Sequence, residues 1–600
     1  LSYRGFIAQQ DLYEVKRAGV DFNELDVGYF VSESDLAQYT EEERVRYASG
    51  NKKGKLRMYA KGTFIYRLAG REREKSASYY TPEVLTKCLV KYALKELLKD
   101  KSADDILHLT ICEPAMGSAA FLNEAINQLA EAYISRKEQE TGEIIGYEER
   151  FNQLQKVKMF IADRNVYGVD LNPGAVELAE VSLWLNTIYP NGFVPWFGTQ
   201  LVNGNSLIGA RRQCYRVSSL QATSKGLRWY EKAPERVPLG TERKRGKLST
   251  QIYHFLLGDP GMCSYTDKVI KQLEPAKIKF LNTWNKAFTA PYCDDDIETL
   301  KKLSKTIDKL WKDQISLRQQ LKQQTHDSLS VFKFNDDEPD SHTSIRTKDQ
   351  MLRTMYRSEN AKNAGAYARL KFAMDYWCAL WFWPIDKADL LPSRSEFLND
   401  MYMILVGLYS TNSDSQQLSM LEDADEEDTD ILLQVNLDEL CALLPRLKLA
   451  RTIAQQNHFM HWELEFADVF AERGGFDLMI GNPPWIKIEW NEQGVLADAN
   501  PMFAVKKLTA TQTTHERQTA LENAHTHSMY FAEYEMLSGE QNFLNAVQNY
   551  PALKGQQTNL FKCFLPLSWE KTNESGIAAF VHPEGVYDDP KGGALREMLY

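Results

Sequence analysis

The stretch that most restricts how this chain can fold is Phe476-Asp477-Leu478-Met479-Ile480, followed directly by Gly481-Asn482-Pro483-Pro484-Trp485. The mostly apolar run reads as a short buried strand, and neither proline has an N–H with which to continue a sheet. The strand must stop there and present Asn482 at its tip. Two prolines in succession stiffen the backbone, so the Asn482 amide and the Pro483 carbonyl are held in fixed positions beside the flat ring of Trp485. Such a tip is a preformed site for a planar amine. In isolation, the same four residues would also suit a tight proline turn with a core tryptophan.

Two further strand-like runs end in an acid. His108-Leu109-Thr110-Ile111-Cys112-Glu113 leads through Pro114-Ala115-Met116-Gly117-Ser118-Ala119 into a helix expected over about 123–138, and Val166-Tyr167-Gly168-Val169-Asp170 leads through Leu171-Asn172-Pro173 into another. A strand, an acid, a small-residue turn and a helix form the first half of a Rossmann-like unit, where small residues let backbone approach a ligand. An acid at the second strand tip is where such folds hold a ribose diol. A third tip is expected at Thr199-Gln200-Leu201-Val202-Asn203-Gly204-Asn205-Ser206-Leu207. All lie on the carboxyl edge, the ligand crevice of an open α/β sheet.

Around these tips the chain divides by composition. Residues 1–75 read as a small mixed unit with a hairpin from 55–60 to 63–68. Residues 76–210 and 461–600 carry the strand tips, and 211–460 form a long, mostly helical insertion. Thr81 and Pro82 mark a helix start, with Thr81 as N-cap, Pro82 as the first helical residue, and Val84, Leu85, Cys88, Leu89, Tyr92 and Leu97 on its apolar side. Within the insertion, Leu300, Leu303, Ile307, Leu310, Leu317 and Leu321 keep a spacing of three to four and predict a projecting helical hairpin or coiled coil. The aromatic-rich run 366–383 predicts a buried helix. A basic stretch with Lys225, Arg228, Lys232, Arg236, Arg243, Lys244, Arg245 and Lys247 around Trp229 and Tyr230 suits either phosphate contact with stacking or a charged loop. Residues 421–428 form an acidic loop, and 487–550 are polar without a period, which predicts a mobile segment.

Composition narrows the class. A net charge of −11 argues against a uniformly nucleic-acid-binding surface, so any such contact is confined to a local basic cleft. No apolar run is long enough to span a bilayer, the first residues lack a signal peptide's apolar core, and cytoplasmic residence is the expectation. The eight cysteines form no CxxC pair, which points to a reducing compartment and away from structural zinc. The chain starts at Leu1 and stops at Tyr600 inside a helical pattern, as a fragment would.

Taken together and in order, Tyr79-Tyr80-Thr81-Pro82, Glu113-Pro114-Ala115-Met116-Gly117-Ser118-Ala119-Ala120-Phe121-Leu122, Val169-Asp170-Leu171-Asn172-Pro173, Gly204-Asn205-Ser206-Leu207 and Asn482-Pro483-Pro484-Trp485 resemble the class I S-adenosylmethionine-dependent adenine-N6 DNA methyltransferases. The set is similar in particular to the large type IIG-like methylases of phage defence, such as the BREX protein PglX and the DISARM adenine methylase. The resemblance covers roughly 76–210 and 461–600. It implies an α/β fold: a Rossmann-like methyltransferase sheet interrupted by the helical insertion, with the small N-terminal unit in front. It further implies that Tyr80, Thr81 and Pro82 close over the methionine end of S-adenosylmethionine, with Glu113, Ala115 and Gly117 in the loop beneath. By the same resemblance Asp170 and Leu171 contact ribose and adenine, Asn205 lies near the cofactor adenine, and Asn482, Pro483, Pro484 and Trp485 are the catalytic motif.

Glu113 stands where that family usually has Asp, and Ala119 where it usually has Gly; the longer carboxylate and the extra methyl reshape the loop. The expected partners are double-stranded DNA and other defence-system subunits, with no membrane and no metal. A target recognition domain is expected after the methylase core, beyond Tyr600. Two other functions remain open on sequence. One is a methylase-like DNA-binding or scaffolding subunit of a defence complex with little activity alone. The other is a restriction-modification enzyme with its own nuclease, for which Glu14-Val15-Lys16 is too short a signal. The Asn-Pro-Pro-Trp motif alone would also suit methylation of RNA or of protein glutamine.

Overall fold

The computed structural model describes residues 4–23, 28–67, 81–190, 192–221, 228–239, 249–335, 340–409 and 433–599. Tyr80, the basic residues Lys225, Arg243, Lys244, Arg245 and Lys247, and the acidic run 421–428 lie outside them. The chain folds as two compact units: 1–80 with 484–538, and 81–483 with 539–600.

The larger unit is built on a five-stranded parallel sheet. Its strands are β1 (Ile111–Glu113), β2 (Val166–Asp170), β3 (Leu201–Asn203), β4 (Phe476–Gly481) and β5 (Thr572–Phe580), in the order β5-β4-β1-β2-β3. The register pairs Glu113 with Gly168, Asp170 with Asn203, and Met479 with both Cys112 and Ala578. Every residue of β4 is buried, the mark of a parallel strand covered on both faces. From β1 the chain builds outward to β2 and β3 on one side, and returns after the insertion to add β4 and β5 on the other. The boundary between β1 and β4 is thus the topological switch point, where ligands of open α/β sheets bind. The core joins Ile111, Leu478 and Ile480 to helices α1 (Glu83–Leu97), α2 (Ala120–Thr141), α3 (Tyr147–Arg164) and α4 (Pro173–Thr187). The expected α/β architecture, a parallel sheet with helices packed against it, is what the chain adopts.

Several local expectations are corrected. Helix α1 starts at Glu83, with Pro82 at the cap position and no side-chain cap hydrogen bond. The Thr81 hydroxyl is not capping because it accepts from the Asn482 amide. Its buried side is Thr86, Val90, Ala93, Leu94 and Leu97, while Val84, Leu85 and Tyr92 are exposed. Apolar residues surround most of its first turns, so periodicity could not pick the stripe that packing on α2 selects. The leucine-rich stretch of the insertion is a single helix, α5 (Asp294–Gln324), which does not project as a hairpin. Its stripe is consumed against the unit itself: Gln314 Nε2 donates to Leu464 O at 3.3 Å, and Arg318 Nε to Asp468 Oδ1 at 3.0 Å. Trp229 is fully buried with its indole N–H on Gly258 O, so it is no stacking platform. Helix α6 (Ala366–Ala379) is buried as expected, with Trp377, Trp381 and Trp383 in or just beyond it inaccessible.

In the smaller unit, Met58–Tyr59 and Phe64–Arg67 do not pair with each other. The first adds to a sheet with Leu12–Val15 and Tyr29–Ser32, and the second pairs with Arg4–Ile7. Residues 484–538 join this unit through Val505 and Met502, which pack with Val15, Val31, Leu36 and Tyr39. They are largely helical (Glu492–Ala497, Met502–Val505 and Ala510–Leu521), held in part by the Arg517 fork on Glu492 at 2.6 and 3.0 Å, where an irregular segment was expected. Among the described residues no helix is long and apolar enough to cross a membrane.

Candidate active site at the strand tips

The carboxyl ends of β1, β2, β3 and β4 bring Glu113, Asp170, Asn203 and Asn482 to one edge of the sheet, because parallel strands in register place their tips side by side. Glu113 is buried and its Oε2 accepts from Leu122 N at the start of α2, at 3.3 Å. Burial pushes its carboxyl well above the usual range, and the nearby Asp170 charge adds to the shift. A methyl group placed on Gly481 would lie 3.5 Å from Glu113 Cγ, so the β1 and β4 tips are in contact range at the switch point.

Asp170 is spent partly on its own surroundings. Its Oδ2 accepts from Gly117 N and its Oδ1 from Asn172 N, both at 2.8 Å, and burial raises its pKa. Each carboxylate oxygen retains a second lone pair, enough for a bidentate contact to a diol. Leu171 beside it is 53% exposed, an apolar surface left open at a polar edge. Asn203 Nδ2 donates to Asp170 O and Leu171 O at 3.0 Å each, fixing that turn, and Ser206 Oγ donates to Pro114 O at 2.5 Å, fixing the loop after β1. Sequence reasoning did not single out Asn203 or Ser206; the signal available was the position of Asn203 at a strand tip in register with Asp170. Asn205 is tied to its own turn, accepting from Leu207 N at 3.1 Å.

The loop from Pro114 to Ala119 needs two left-handed residues. Gly117 has φ +52°, and Ala119, fully buried before α2, has φ 61° and ψ 39°. Alanine in this region is strained by about 1–2 kcal/mol. The departure from glycine noted in the sequence therefore falls on a backbone position that favours glycine. Gly168 on β2 is required for another reason: a Cβ there would come within 2.3 Å of Met116 Sδ.

Asn482 is the decisive residue. Its Nδ2 donates to Thr81 Oγ1 at 3.1 Å, while its Oδ1 is buried and has no partner among the described residues. An unpartnered buried acceptor is unfavourable by about 1–3 kcal/mol and is tolerated where a ligand supplies the donor. Of the predicted site residues, Thr81, Pro82, Glu113, Ala115, Gly117, Asp170, Leu171, Asn205, Asn482 and Pro483 belong to the larger unit; Pro484 and the half-exposed Trp485 belong to the smaller one.

The model of the Eco57I restriction-modification methylase family matches residues 164–532, more than half of the chain. The chain belongs to this family. A second model, N-6 DNA Methylase, matches residues 59–203. The Eco57I-family match contains β2, β3 and β4 with the intervening insertion, and the second contains β1 and its loop, so together they span the four tips. No curated protein matches the chain. The family makes this an adenine methylase of the restriction-modification type. The lone pairs left on the Asp170 carboxylate and the open apolar face at Leu171 would suit the nucleoside part of the methyl donor that such families generally use.

Proposed function

We propose that the chain transfers a methyl group from S-adenosylmethionine to N6 of adenine in double-stranded DNA, marking self DNA in a phage-defence or restriction-modification system of the BREX or DISARM kind. The observation that carries this reading is the Asn482 Oδ1: a buried acceptor without a partner among the described residues, at the switch point, followed by a second acceptor in the Pro483 carbonyl.

S-adenosylmethionine, when bound, supplies an electrophilic methyl on sulfur. Asp170 would hold the ribose, Leu171 and Asn205 the adenine, and Tyr80, Thr81, Pro82, Glu113, Ala115 and Gly117 the methionine end. The residues of the chain then have one task at the target. An exocyclic adenine amine is a poor nucleophile because its lone pair is delocalised into the ring. Asn482 Oδ1 and Pro483 O accept its two hydrogens, which favours a pyramidal nitrogen whose lone pair points at the electrophile. The base reaches these acceptors only by leaving the duplex; by the family resemblance Trp485 is the residue of the motif on which it would stack.

Labelled S-adenosylmethionine incubated with genomic DNA from a host lacking adenine methylation, followed by nucleoside mass spectrometry, tests the reading. Label in N6-methyladenine is expected. Label confined to cytosine or RNA, or none at all, would overturn it.

A further inference from the structure

Exposed aromatic rings and unpaired cations occur together in one stretch of the smaller unit. From Arg44 to Arg67 the chain holds eight basic residues and no acidic one, although its net charge is −11. Three of the arginines are already paired: Arg44 and Arg46 with Glu41 at 2.6 and 2.5 Å, and Arg57 with Glu14 at 3.0 Å. Lys52, Lys53, Lys55 and Lys61 are exposed, and among the described residues none of them forms an ion pair. Gly54 N donates to Tyr47 O and Tyr47 N to Lys55 O, both at 3.0 Å, so Lys52 and Lys53 stand at the tip of a hairpin. Lys61 lies in the turn that leads into the strand Phe64–Arg67.

That strand carries the rings. It pairs antiparallel with Arg4–Ile7, Ile7 opposite Phe64. Alternation turns Ile65 inward, where it is buried, and Phe64 and Tyr66 outward, where they are 63% and 57% exposed, with Ile7 open beside Phe64. Scattered exposed apolar side chains are ordinary; three on one face of a ribbon, next to lysines without ion-pair partners, are not. Rings at i and i+2 stand about 7 Å apart along a strand, so neighbouring unpaired bases can each lie on one of them. A duplex would offer phosphates to the lysines but keeps its base faces in its own stack, whereas an unpaired strand offers both. Trp229, in the other basic stretch, is buried and cannot stack. We propose that this face of the smaller unit binds single-stranded DNA, with Phe64 and Tyr66 as stacking rings and Lys52, Lys53, Lys55 and Lys61 on the phosphates. This site is separate from the methyltransfer reading and does not rest on it.

The test follows the fluorescence anisotropy of a labelled thymidine oligonucleotide, which has no adenine and forms no duplex, on titration with the full chain. Wild type and Asn482→Ala should bind it alike. Phe64→Ala and Tyr66→Ala should each weaken binding about tenfold with the melting temperature kept, and Tyr66→Phe should bind as wild type does. Replacing the four lysines by Gln should make the fall of log affinity with log salt concentration shallower by about 2–3. Phe64→Ala should leave affinity for a duplex of G·C pairs unchanged. A wild type that does not bind the oligonucleotide, alanine variants that bind it as tightly as wild type, or a loss in Tyr66→Phe as deep as in Tyr66→Ala would overturn the proposal. So would an equal loss on the duplex, or a Phe64→Ala protein that loses only self-association in sedimentation.

Discussion

Asp477 and Asn482 sit at the two ends of one strand and are used in opposite ways. Asp477, at the start of β4, accepts from Thr110 N and Oγ1 at 2.8 and 3.0 Å, from the Arg473 fork at 3.0 and 2.8 Å, and from Asn573 Nδ2 at 2.8 Å. It ties β4 to the chain entering β1 and to β5. Burial works to raise its pKa, but Arg473 and these hydrogen bonds outweigh that and hold it below the usual carboxylate range. Asn482, just past the other end, has an oxygen with no partner among the described residues. The same strand thus completes its polar contacts where the sheet is held together and leaves one incomplete where a ligand enters.

The comparison breaks most clearly at Asp477. Asp477→Ala leaves the partly exposed Arg473 guanidinium and three further donors, Thr110 N, Thr110 Oγ1 and Asn573 Nδ2, without their acceptor, and should lower unfolding free energy by about 3–5 kcal/mol in urea denaturation. A loss below about 1 kcal/mol would mean that the network is decorative. Next in size is Ala119→Gly. Relief of the left-handed strain exceeds the lost methyl contact and the added unfolded-state freedom, so a gain of about 0.5–1 kcal/mol is expected, read as a higher melting temperature. A net loss would show that the loop is unstrained.

A further test concerns a buried carboxyl that lacks what Arg473 gives Asp477. Asp259 accepts from Gly261 N at 2.8 Å, and burial raises its pKa to about 7. Its folded pKa lies above its unfolded one, so its contribution is fully present below about pH 4 and is lost as pH rises through about 7. Asp259→Asn should therefore flatten the fall in melting temperature between about pH 4 and 7; an unchanged slope would place that fall elsewhere.

Much of this edge was legible because its signals are local. A short apolar run that ends in an acid or in Asn-Pro-Pro must stop and expose its tip, and Glu113, Asp170 and Asn482 were read in that way. What sequence hid depends on distant partners or on backbone angles. Thr81 looks like a helix cap until Asn482, far along the chain, is seen to hold it. Ala119 reads as a conservative neighbour of glycine until its φ is known. Asn203 is one more polar residue until the register sets it beside Asp170. The leucines of α5 predict a partner helix, but not that the partner is the body of the same unit, and nothing local distinguishes Trp229 as a core residue from a stacking ring.

The most direct measurement pairs methyl transfer with stability in Asn482→Ala. The account predicts that labelled transfer to adenine falls by at least about a hundredfold, while unfolding free energy stays within about 0.5 kcal/mol of wild type or rises, because an unsatisfied acceptor has been removed. Transfer at the wild-type rate, or loss of transfer only in step with unfolding, would contradict it.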